Sequence, residues 1–322
     1  SFAWQMSEEA RKKGLPPAVF LFPNFLKYEK SSSKISKIVR KFSPLVEQSS
    51  IDEMYFDLSR GGSFKKAEEI CGKIKREIKK EEKLTCSIGI GSNKLIAKIA
   101  SDVKKPNGLT IVEKGKEEAF LENFPIRKIP GIGPKTEEFF LRRQRVGARK
   151  PTFWSAPRFS GGAETSGKNK NIVLVKDLKK FSKDELKKML GKWGEDLYFK
   201  IRGIDDSPIV EEYEAKSIGE QETFLKDTLE SKFIISRLSH ISESVFERFK
   251  KSEFKNFKTI TITVRFAGFE TKTRSRTLSQ PSPDLKTLQF EALKLLTPFL
   301  DKRENPKRKL IRLIGVRIEK LE

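Results

Sequence analysis

The amino-acid sequence predicts a multidomain α+β protein, on three observations. The chain has 322 residues, more than a single hydrophobic core usually serves. Apolar residues over 17–113 alternate between strand-like and helical periodicity, and those over 114–208 are mostly helical. Residues 217–322 show strands and helices in the order βαββαβ. We therefore expect a mixed sheet with covering helices, a small helical domain and a C-terminal ferredoxin-like domain.

The first predicted domain, residues 17–113, combines short β-like runs with amphipathic helices. One helix begins at Asn93 with Ser92 as N-cap candidate, and its apolar residues recur on one face, so it should pack on the sheet. The predicted elements are, in order, the strand-like run PAVFLF, a helix at 32–42, the run LVEQSSIDEMYFDLS, a helix at 64–82, the run LTCSIGIG, the helix from Asn93 and the run LTIV.

The second predicted domain is helical because apolar residues recur at helical spacing in segments 119–124, 135–141 and 183–201. Residues 142–171 interrupt this pattern. They are rich in Gly, Ser, Pro and Arg and have no apolar period, which is typical of a loop or a disordered segment. We interpret this stretch as a mobile insert.

The third predicted domain has strands at 217–225, 258–266, 271–278 and 309–318 and helices at 231–251 and 284–300. In the second strand, apolar residues alternate with Thr and Arg, which predicts one core face and one polar face. In the third strand, Lys272, Arg274 and Arg276 fall on a single face. This row of cations is either a phosphate-contacting surface or a charged edge that prevents aggregation.

The charge of the chain indicates a polyanionic partner. It has 67 Lys and Arg against 44 Asp and Glu, a formal net charge of +23 and a pI of about 9.8. Nucleic acid is the first candidate, although charge alone also fits a ribosomal, chromatin or membrane-surface protein. A nucleic-acid partner favours phosphate contact for the cation row. The insert is then either a basic loop that touches DNA or, as we favour, an insertion without a dedicated role.

Other features exclude several classes of protein. Cys71 and Cys86 have no neighbours at metal-ligand or redox spacing, which leaves a zinc site or a disulfide framework unsupported. No apolar run reaches membrane-spanning length, and the N-terminus shows no signal-peptide pattern. We expect a soluble protein of the cytoplasm, without a membrane partner.

Adjacent carboxylates at Asp52 and Glu53 lie between two apolar strand-like runs. At a hairpin, they would place two hard oxygen ligands at the rim of a sheet, which suits Mg²⁺ bridging phosphates. The alternative is an ordinary polar turn, and spacing alone leaves both open.

Four segments together resemble the motifs of one known protein family. SIDEMYFDLS, SIGIGSNKLIAKIASDVKKPNG, IPGIGPKT and KSIGEQETF occur in this order, and their order and spacing resemble those of Y-family DNA polymerases of the DNA polymerase IV (DinB-like) branch. The resemblance covers nearly the whole chain outside 142–171. It implies low-fidelity translesion synthesis, in which two-metal nucleotidyl transfer adds dNTPs to a primer 3′-hydroxyl. The implied domains are the end of the fingers (1–16), an incomplete palm (17–113), a thumb with a helix-hairpin-helix (114–208), a linker (209–216) and a little finger (217–322).

The resemblance also implies roles for individual residues. By position, Asp52 and Glu53 match the palm carboxylates that hold two catalytic Mg²⁺ ions, and Lys105 matches the lysine that reaches the incoming triphosphate. Glycines of a helix-hairpin-helix let backbone N–H groups approach duplex DNA. The DNA contacts implied in this way are Gly131, Ile132, Gly133 and Lys135 in the thumb, and Lys272, Arg274 and Arg276 in the little finger.

The chain also departs from the family pattern. Family members begin with a strand that carries another metal-binding aspartate, followed by an aromatic steric gate, whereas the first aspartate here is Asp52. We therefore expect this polypeptide to polymerise poorly or not at all, and a catalytically inactive DNA-binding fragment is the alternative. The linker is acidic where the family is more often basic, so linker contacts to DNA are not expected.

Two further expectations concern partners. An RNA-binding domain is a third interpretation of the βαββαβ unit, but the strand at 258–266 lacks the exposed aromatic residues that stack on bases. The expected partners are primer-template DNA and dNTPs, in a monomer associated with the nucleoid. A sliding clamp is a possible partner by resemblance, although no clamp peptide is evident.

Overall fold

The computed structural model describes Gly14 and residues 23–145 and 173–322. These residues form two compact units, which divide between Glu212 and Tyr213, inside the predicted linker. The predicted strand PAVFLF and the fingers remnant, apart from Gly14, lie outside the described residues. So does most of the predicted insert, since the structure describes the helix there only as far as Arg145. The predicted α+β class is confirmed.

The first unit opens with helix α1 (Phe25–Arg40). It begins seven residues before the predicted helix, with Asn24 as its N-cap. Strands β1 (Val46–Gln48) and β2 (Met54–Phe56) form an antiparallel hairpin. Helix α2 (Phe64–Glu82) has the predicted bounds.

Strands β3 (Ile88–Ile90) and β4 (Leu109–Ile111) pair in parallel and are connected by helix α3 (Lys94–Val103). Within the described residues, the predicted mixed sheet is thus two separate strand pairs. The N-cap prediction was wrong by one residue. Asn93 caps α3 by accepting a hydrogen bond from the N–H of Ile96 at 2.9 Å, whereas Ser92 donates its hydroxyl to Glu117 at 2.5 Å.

The helical part of the first unit packs around a buried apolar cluster that includes Leu121, Ile126, Leu178, Leu186 and Leu197. The predicted helix at 183–201 is two helices, because Gly191 adopts φ 67° and ψ −149° and ends the first of them. The helices are α4 (Glu117–Leu121), α5 (Pro134–Arg145), α6 (Val175–Leu178), α7 (Lys183–Leu190) and α8 (Lys192–Lys200).

The second unit has the predicted βαββαβ succession. Its four strands pair in the order β5-β8-β6-β7, and every neighbouring pair is antiparallel. The second and fourth strands of the unit are therefore central, whereas the first and third are central in the ferredoxin-like arrangement. Its elements are β5 (Ser217–Thr228), α9 (Ser231–Lys250), β6 (Phe257–Phe266), β7 (Thr271–Ser282), α10 (Leu285–Leu300) and β8 (Ile311–Leu321).

Both helices of the second unit share one core with the sheet. Ile260, Ile262 and Val264 of β6 are fully buried, and they pack with Leu238 of α9 and Leu296 of α10. The predicted alternation of β6 is thereby confirmed. No helix within the described parts of the chain is both long and apolar enough to cross a lipid bilayer.

Candidate functional site

Asp52 and Glu53 lie in the loop that connects β1 and β2, as the sequence predicts. The backbone N–H groups of Ser49 and Ser50 both donate to the Glu53 carbonyl oxygen, at 3.0 and 3.2 Å. The Ser50 hydroxyl also donates to Asp52 Oδ1 at 2.6 Å. These bonds hold the loop in one conformation and leave the two carboxylates at its tip.

The polar side of α3 faces this hairpin. Lys94, Lys98 and Asp102 are spaced i, i+4 and i+8, so they lie on one side of the helix. Lys98 Nζ hydrogen-bonds the Glu53 carboxylate. Lys94 Nζ lies 2.6 Å from a carboxylate oxygen of Glu47 on β1. One helix face therefore fixes both the hairpin and one of its terminal carboxylates.

Lys105 extends this cationic edge beyond the end of α3. Its Nζ lies 2.6 Å from Asp102 Oδ1. This hydrogen bond is the main cause of a lowered pKa of the Asp102 carboxyl and of a raised pKa of the Lys105 ammonium. The charges of Glu53 and Asp52 also raise the pKa of Lys105. The Lys105 ammonium therefore lies within electrostatic reach of the predicted carboxylate pair.

The turn after Lys105 is attached to α2. Lys75 Nζ donates to Asn107 Oδ1 at 2.8 Å and to the Gly108 carbonyl oxygen at 3.1 Å. The backbone N–H of Gly108 in turn donates to the Ser87 hydroxyl at 3.1 Å. These contacts attach the residues that directly follow Lys105 to α2 and to Ser87.

The donor set at the hairpin tip fits a hard divalent cation. Glu53 is 42% exposed, and Asp52 is exposed as well, so both can accept further ligands. Asp57 instead accepts the N–H and hydroxyl of Ser59, at 2.7 and 3.0 Å, and stabilises the local turn. The described residues contain no cluster of three or more potential metal ligands. Mg²⁺ commonly uses one or two carboxylates together with substrate phosphates, and this pair supplies such a partial set.

The helical part of the first unit contains the predicted glycine turn before α5. Gly131 adopts φ 98°, and a Cβ there would lie 2.9 Å from Trp193 Nε1, so only glycine fits. Ile132 is buried and can offer a ligand only its backbone. By contrast, a Cβ on Gly133 would meet nothing within 4 Å. Gly133 and exposed Lys135 therefore border open space at the N-terminal end of α5, where the first N–H groups of a helix lack intrahelical partners.

The predicted cations of β7 do lie on one face, but it is the face that the helices cover. Lys272, Arg274 and Arg276 pair across the strand with Val264, Ile262 and Ile260, which belong to the core. Their charges are paired as well, because Lys272 and Arg274 contact Glu304 and Arg276 contacts Glu291. A phosphate would compete with these carboxylates for the cations.

The opposite face of this sheet is lined by hydroxyl groups. Thr259 hydrogen-bonds Thr277 at 3.0 Å, and Thr261 hydrogen-bonds Ser275 at 2.8 Å. Thr263 continues this side of the strand, and none of these residues is aromatic. The polar face predicted for β6 is confirmed, and it is not the face of the cation row.

Sequence reasoning missed Lys94, Lys98 and Asp102 as site residues. Only the apolar side of α3 was used to predict its packing. A signal was nevertheless present, because a polar stripe with i, i+4 spacing lay directly beside the apolar one. Glu47 gave no such signal, since its partner lies far along the chain.

Comparisons with known proteins show the family of the chain. Residues 4–102 match the impB/mucB/samB family, residues 114–142 the IMS family HHH motif, and residues 215–322 the impB/mucB/samB family C-terminal domain. The chain is 35% identical to DNA polymerase IV of Methanoculleus marisnigri over 95% of this chain and 76% of that relative. It is 36% identical to DNA polymerase IV of Methanosarcina acetivorans over 97% of this chain and 79% of that relative.

Solved structures show the same fold. A Y-family DNA polymerase chimera of Dbh and Dpo4 superposes with a TM-score of 0.75 at 24% identity, covering 98% of this chain and 86% of that one. An insertion ternary complex of Dbh DNA polymerase gives a TM-score of 0.55 at 24% identity, covering 97% and 85%. Family models and full-length relatives agree on one assignment. The chain belongs to the impB/mucB/samB family of Y-family polymerases and is a translesion DNA polymerase of the DNA polymerase IV type, a DNA-directed nucleotidyltransferase.

Proposed function

We propose that this chain extends a primer 3′-hydroxyl with dNTPs at the site formed by Asp52, Glu53 and Lys105. The observation that carries the proposal is the placement of both carboxylates at a rigid hairpin tip, beside the cationic edge of α3 and Lys105. Y-family polymerases use divalent metal ions, and we propose two Mg²⁺ ions held in part by Asp52 and Glu53. The chemistry that Mg²⁺ supplies at such a pair is activation of the 3′-hydroxyl and charge neutralisation on the triphosphate.

The residues of the chain have separate tasks in this proposal. Glu53 is held by Lys98, which keeps its carboxylate oriented while one oxygen stays available. Lys105 presents a point charge to the triphosphate. It must first leave Asp102, and this ion pair keeps the ammonium close to the site until a nucleotide arrives.

Primer extension tests the proposal directly. The assay uses an undamaged template and a lesion-containing template, each with Mg²⁺ and with EDTA. Both this chain and a version extended at its N-terminus with the preceding segment of the Methanoculleus marisnigri relative are assayed. Extension that requires Mg²⁺ supports the proposal. A catalytically inactive DNA-binding fragment is the second candidate, and it would bind primer-template in both versions without adding nucleotides.

Replacing Lys105 by methionine should raise the KM for dNTP by about tenfold, because one charge-assisted contact to phosphate contributes about 1.5 kcal/mol or more. Single-nucleotide incorporation kinetics provide the measurement. Lys104→Met is the matched control, since it removes the same charge from the neighbouring position and should leave the KM within about twofold. Equal effects of the two substitutions would show that only the net charge matters.

We propose that the thumb grips the DNA backbone through the turn at Gly131, Ile132 and Gly133 together with Lys135. The support is geometric: Gly133 and Lys135 border open space at a helix N-terminus, which is an anion-binding arrangement. In the little finger, we propose that Lys272, Arg274 and Arg276 contact template phosphates by exchanging partners with Glu304 and Glu291. The absence of aromatic residues from the open face of β6 disfavours the base-stacking RNA-binding alternative.

Removing a phosphate contact reduces the salt dependence of DNA binding. Lys135→Ala should therefore lower the slope of log K against log salt concentration by about one. Fluorescence anisotropy measures the primer-template affinity between about 50 and 200 mM salt, a range over which phosphate contacts change the affinity strongly. Lys188→Ala, an exposed cation on α7, is the control and should leave the slope unchanged. An unchanged slope for Lys135→Ala would remove this residue from the interface.

We also propose that the protein acts as a monomer in the cytoplasm, associated with the nucleoid. Its basic charge supports retention on DNA. Association with a sliding clamp stays a prediction from the resemblance.

A further inference from the structure

The end of the first unit is bonded to the N-terminus of α3. We call residues 203–211 the exit segment, because the chain passes through them before it enters the second unit. Asn93 Nδ2 donates to the Gly203 carbonyl oxygen at 2.7 Å. The N–H of Leu95 donates to Asp205 Oδ2 at 3.0 Å. Two side chains thus cross-link the start of the exit segment and the first turn of the helix.

A buried ion pair continues this attachment. Glu47 is only 2% exposed, and its carboxylate accepts from Lys94 Nζ at 2.6 and 2.8 Å. The same carboxylate accepts from the N–H of Val210 at 2.8 Å. Lys94 Nζ also donates to the Pro208 carbonyl oxygen at 3.1 Å. Each member of the pair therefore bonds the backbone of the exit segment.

The last contact of the attachment is an ion pair at the surface of the first unit. Arg40 contacts Glu211 at 2.8 Å in an exposed ion pair, which contributes little by itself. The buried pair is different, because removing either partner leaves an uncompensated charge in the interior. The exit segment is consequently held at Glu47 and Lys94. Residues 212–216 are the chain that remains before β5 begins at Ser217.

We propose that Glu47, Asn93, Lys94 and Asp205 form an anchor that fixes the root of the tether to the little finger. The anchor sets the length of free chain, and thereby the effective concentration of the little finger at DNA held by the first unit. This inference rests on the proposed DNA binding by both units. Asn93 and Lys94, which belong to the segment SIGIGSNKLIAKIASDVKKPNG, then act on the tether rather than on the nucleotide.

The expected size of the effect depends on the length of the free tether. With the anchor intact, the free tether is residues 212–216; with it released, the tether is residues 204–216, roughly 2.6 times longer. Effective concentration falls roughly as the −3/2 power of tether length once the span is exceeded. Release of the anchor should therefore weaken primer-template binding about fourfold.

Two variants of the full chain test the anchor. Lys94→Met alone removes the buried pair. The double variant Lys94→Met with Asp205→Ala also removes the contact to Leu95, so that only Asn93 still holds the start of the exit segment, at Gly203. Amide hydrogen exchange of the peptide containing Val210 should become at least about fivefold faster in both, since a hydrogen bond contributes about 1 kcal/mol or more. Lys94→Arg should restore part of the protection, because arginine keeps the charge and the donors.

Lys179→Met is the matched control. Lys179 is 17% exposed and forms an ion pair with Glu118 at 2.9 Å, while Lys94 is 16% exposed. The two substitutions therefore remove equal charges from lysines of nearly equal exposure, although Glu118 is 58% exposed and the Glu47 side chain only 3%. Only the Lys94 pair touches residues 208 and 210. In the control, exchange at Val210 and DNA affinity should match those of the unsubstituted chain.

The outcomes separate the two levels of inference. Faster exchange at Val210 together with about fourfold weaker DNA binding in both variants, but not in the control, supports the proposal. Unchanged exchange at Val210 in both folded variants overturns the anchor. Faster exchange with unchanged DNA affinity overturns the tether-length effect. Failure of the unsubstituted chain to bind primer-template would instead refute the proposed function, which the exchange measurement does not require.

Discussion

Replacing Asp52 and Glu53 together by alanine should reduce primer extension by about 10³-fold or more. The two carboxylates are the metal-ligating groups at the hairpin tip in our proposal, and loss of metal-assisted charge stabilisation costs several kcal/mol in the transition state. Single-turnover nucleotide incorporation measures the loss. The double variant should still bind primer-template, because the proposed thumb and little-finger contacts are unchanged.

Asp57→Ala is the control for this experiment. It removes a carboxylate from the same strand region, yet the Asp57 carboxylate accepts its hydrogen bonds from Ser59 in the local turn. Incorporation should therefore stay within about threefold. The comparison is made in the N-terminally extended protein and in the chain itself. Retention of full activity by the double variant would remove the pair from catalysis. An extended protein that binds DNA but never incorporates nucleotide would favour the inactive DNA-binding alternative.

The second large effect concerns the contact between β3 and α3. Gly89→Ala should destabilise the first unit by about 3 kcal/mol, at the upper end of typical overpacking costs. An added Cβ would overlap the Ala97 carbonyl oxygen and the Ser101 nitrogen, both in the helix backbone, which cannot rotate away as a side chain can. Urea unfolding followed by a probe in the first unit gives the free-energy change.

Gly72→Ala provides a control of opposite sign. Gly72 lies inside α2, where an added Cβ meets only the Arg76 side chain at 3.5 Å, an ordinary contact. Alanine is preferred over glycine in a helix interior by up to about 1 kcal/mol, so this variant should be more stable. A Gly89→Ala protein as stable as the unsubstituted chain would show that α3 can move away from the strand.

The sequence predicted those elements whose signals are local. Helix α2 has its Ser63 cap and a regular apolar stripe, and its predicted bounds were correct. The start of α1 was missed because Phe25 and Leu26 are exposed, so the apolar residues there do not mark a buried face. The predicted helix over 183–201 ignored the positive φ of Gly191, although glycine before Lys192 was a visible break signal.

Features that depend on contacts between residues far apart in the sequence could not be predicted from local patterns. The βαββαβ succession was predicted, but the strand order depends on which edge β8 joins. The β7 cations were placed correctly on one face, but their carboxylate partners Glu304 and Glu291 lie in other elements. The carboxylate pair at the hairpin tip was found because its two members are adjacent. The Glu47–Lys94 pair was missed because forty-six residues separate its members.

The apolar core of the second unit is built from residues of that unit alone, which affects where such chains can recombine. The buried apolar cluster that includes Phe224, Ile262 and Phe299 draws all its members from 224–318, and the clusters described in the first unit end at Ile201. Recombination within 202–216 would therefore exchange a whole little finger without cutting through either core. Such an exchange would leave the buried contacts of both units intact.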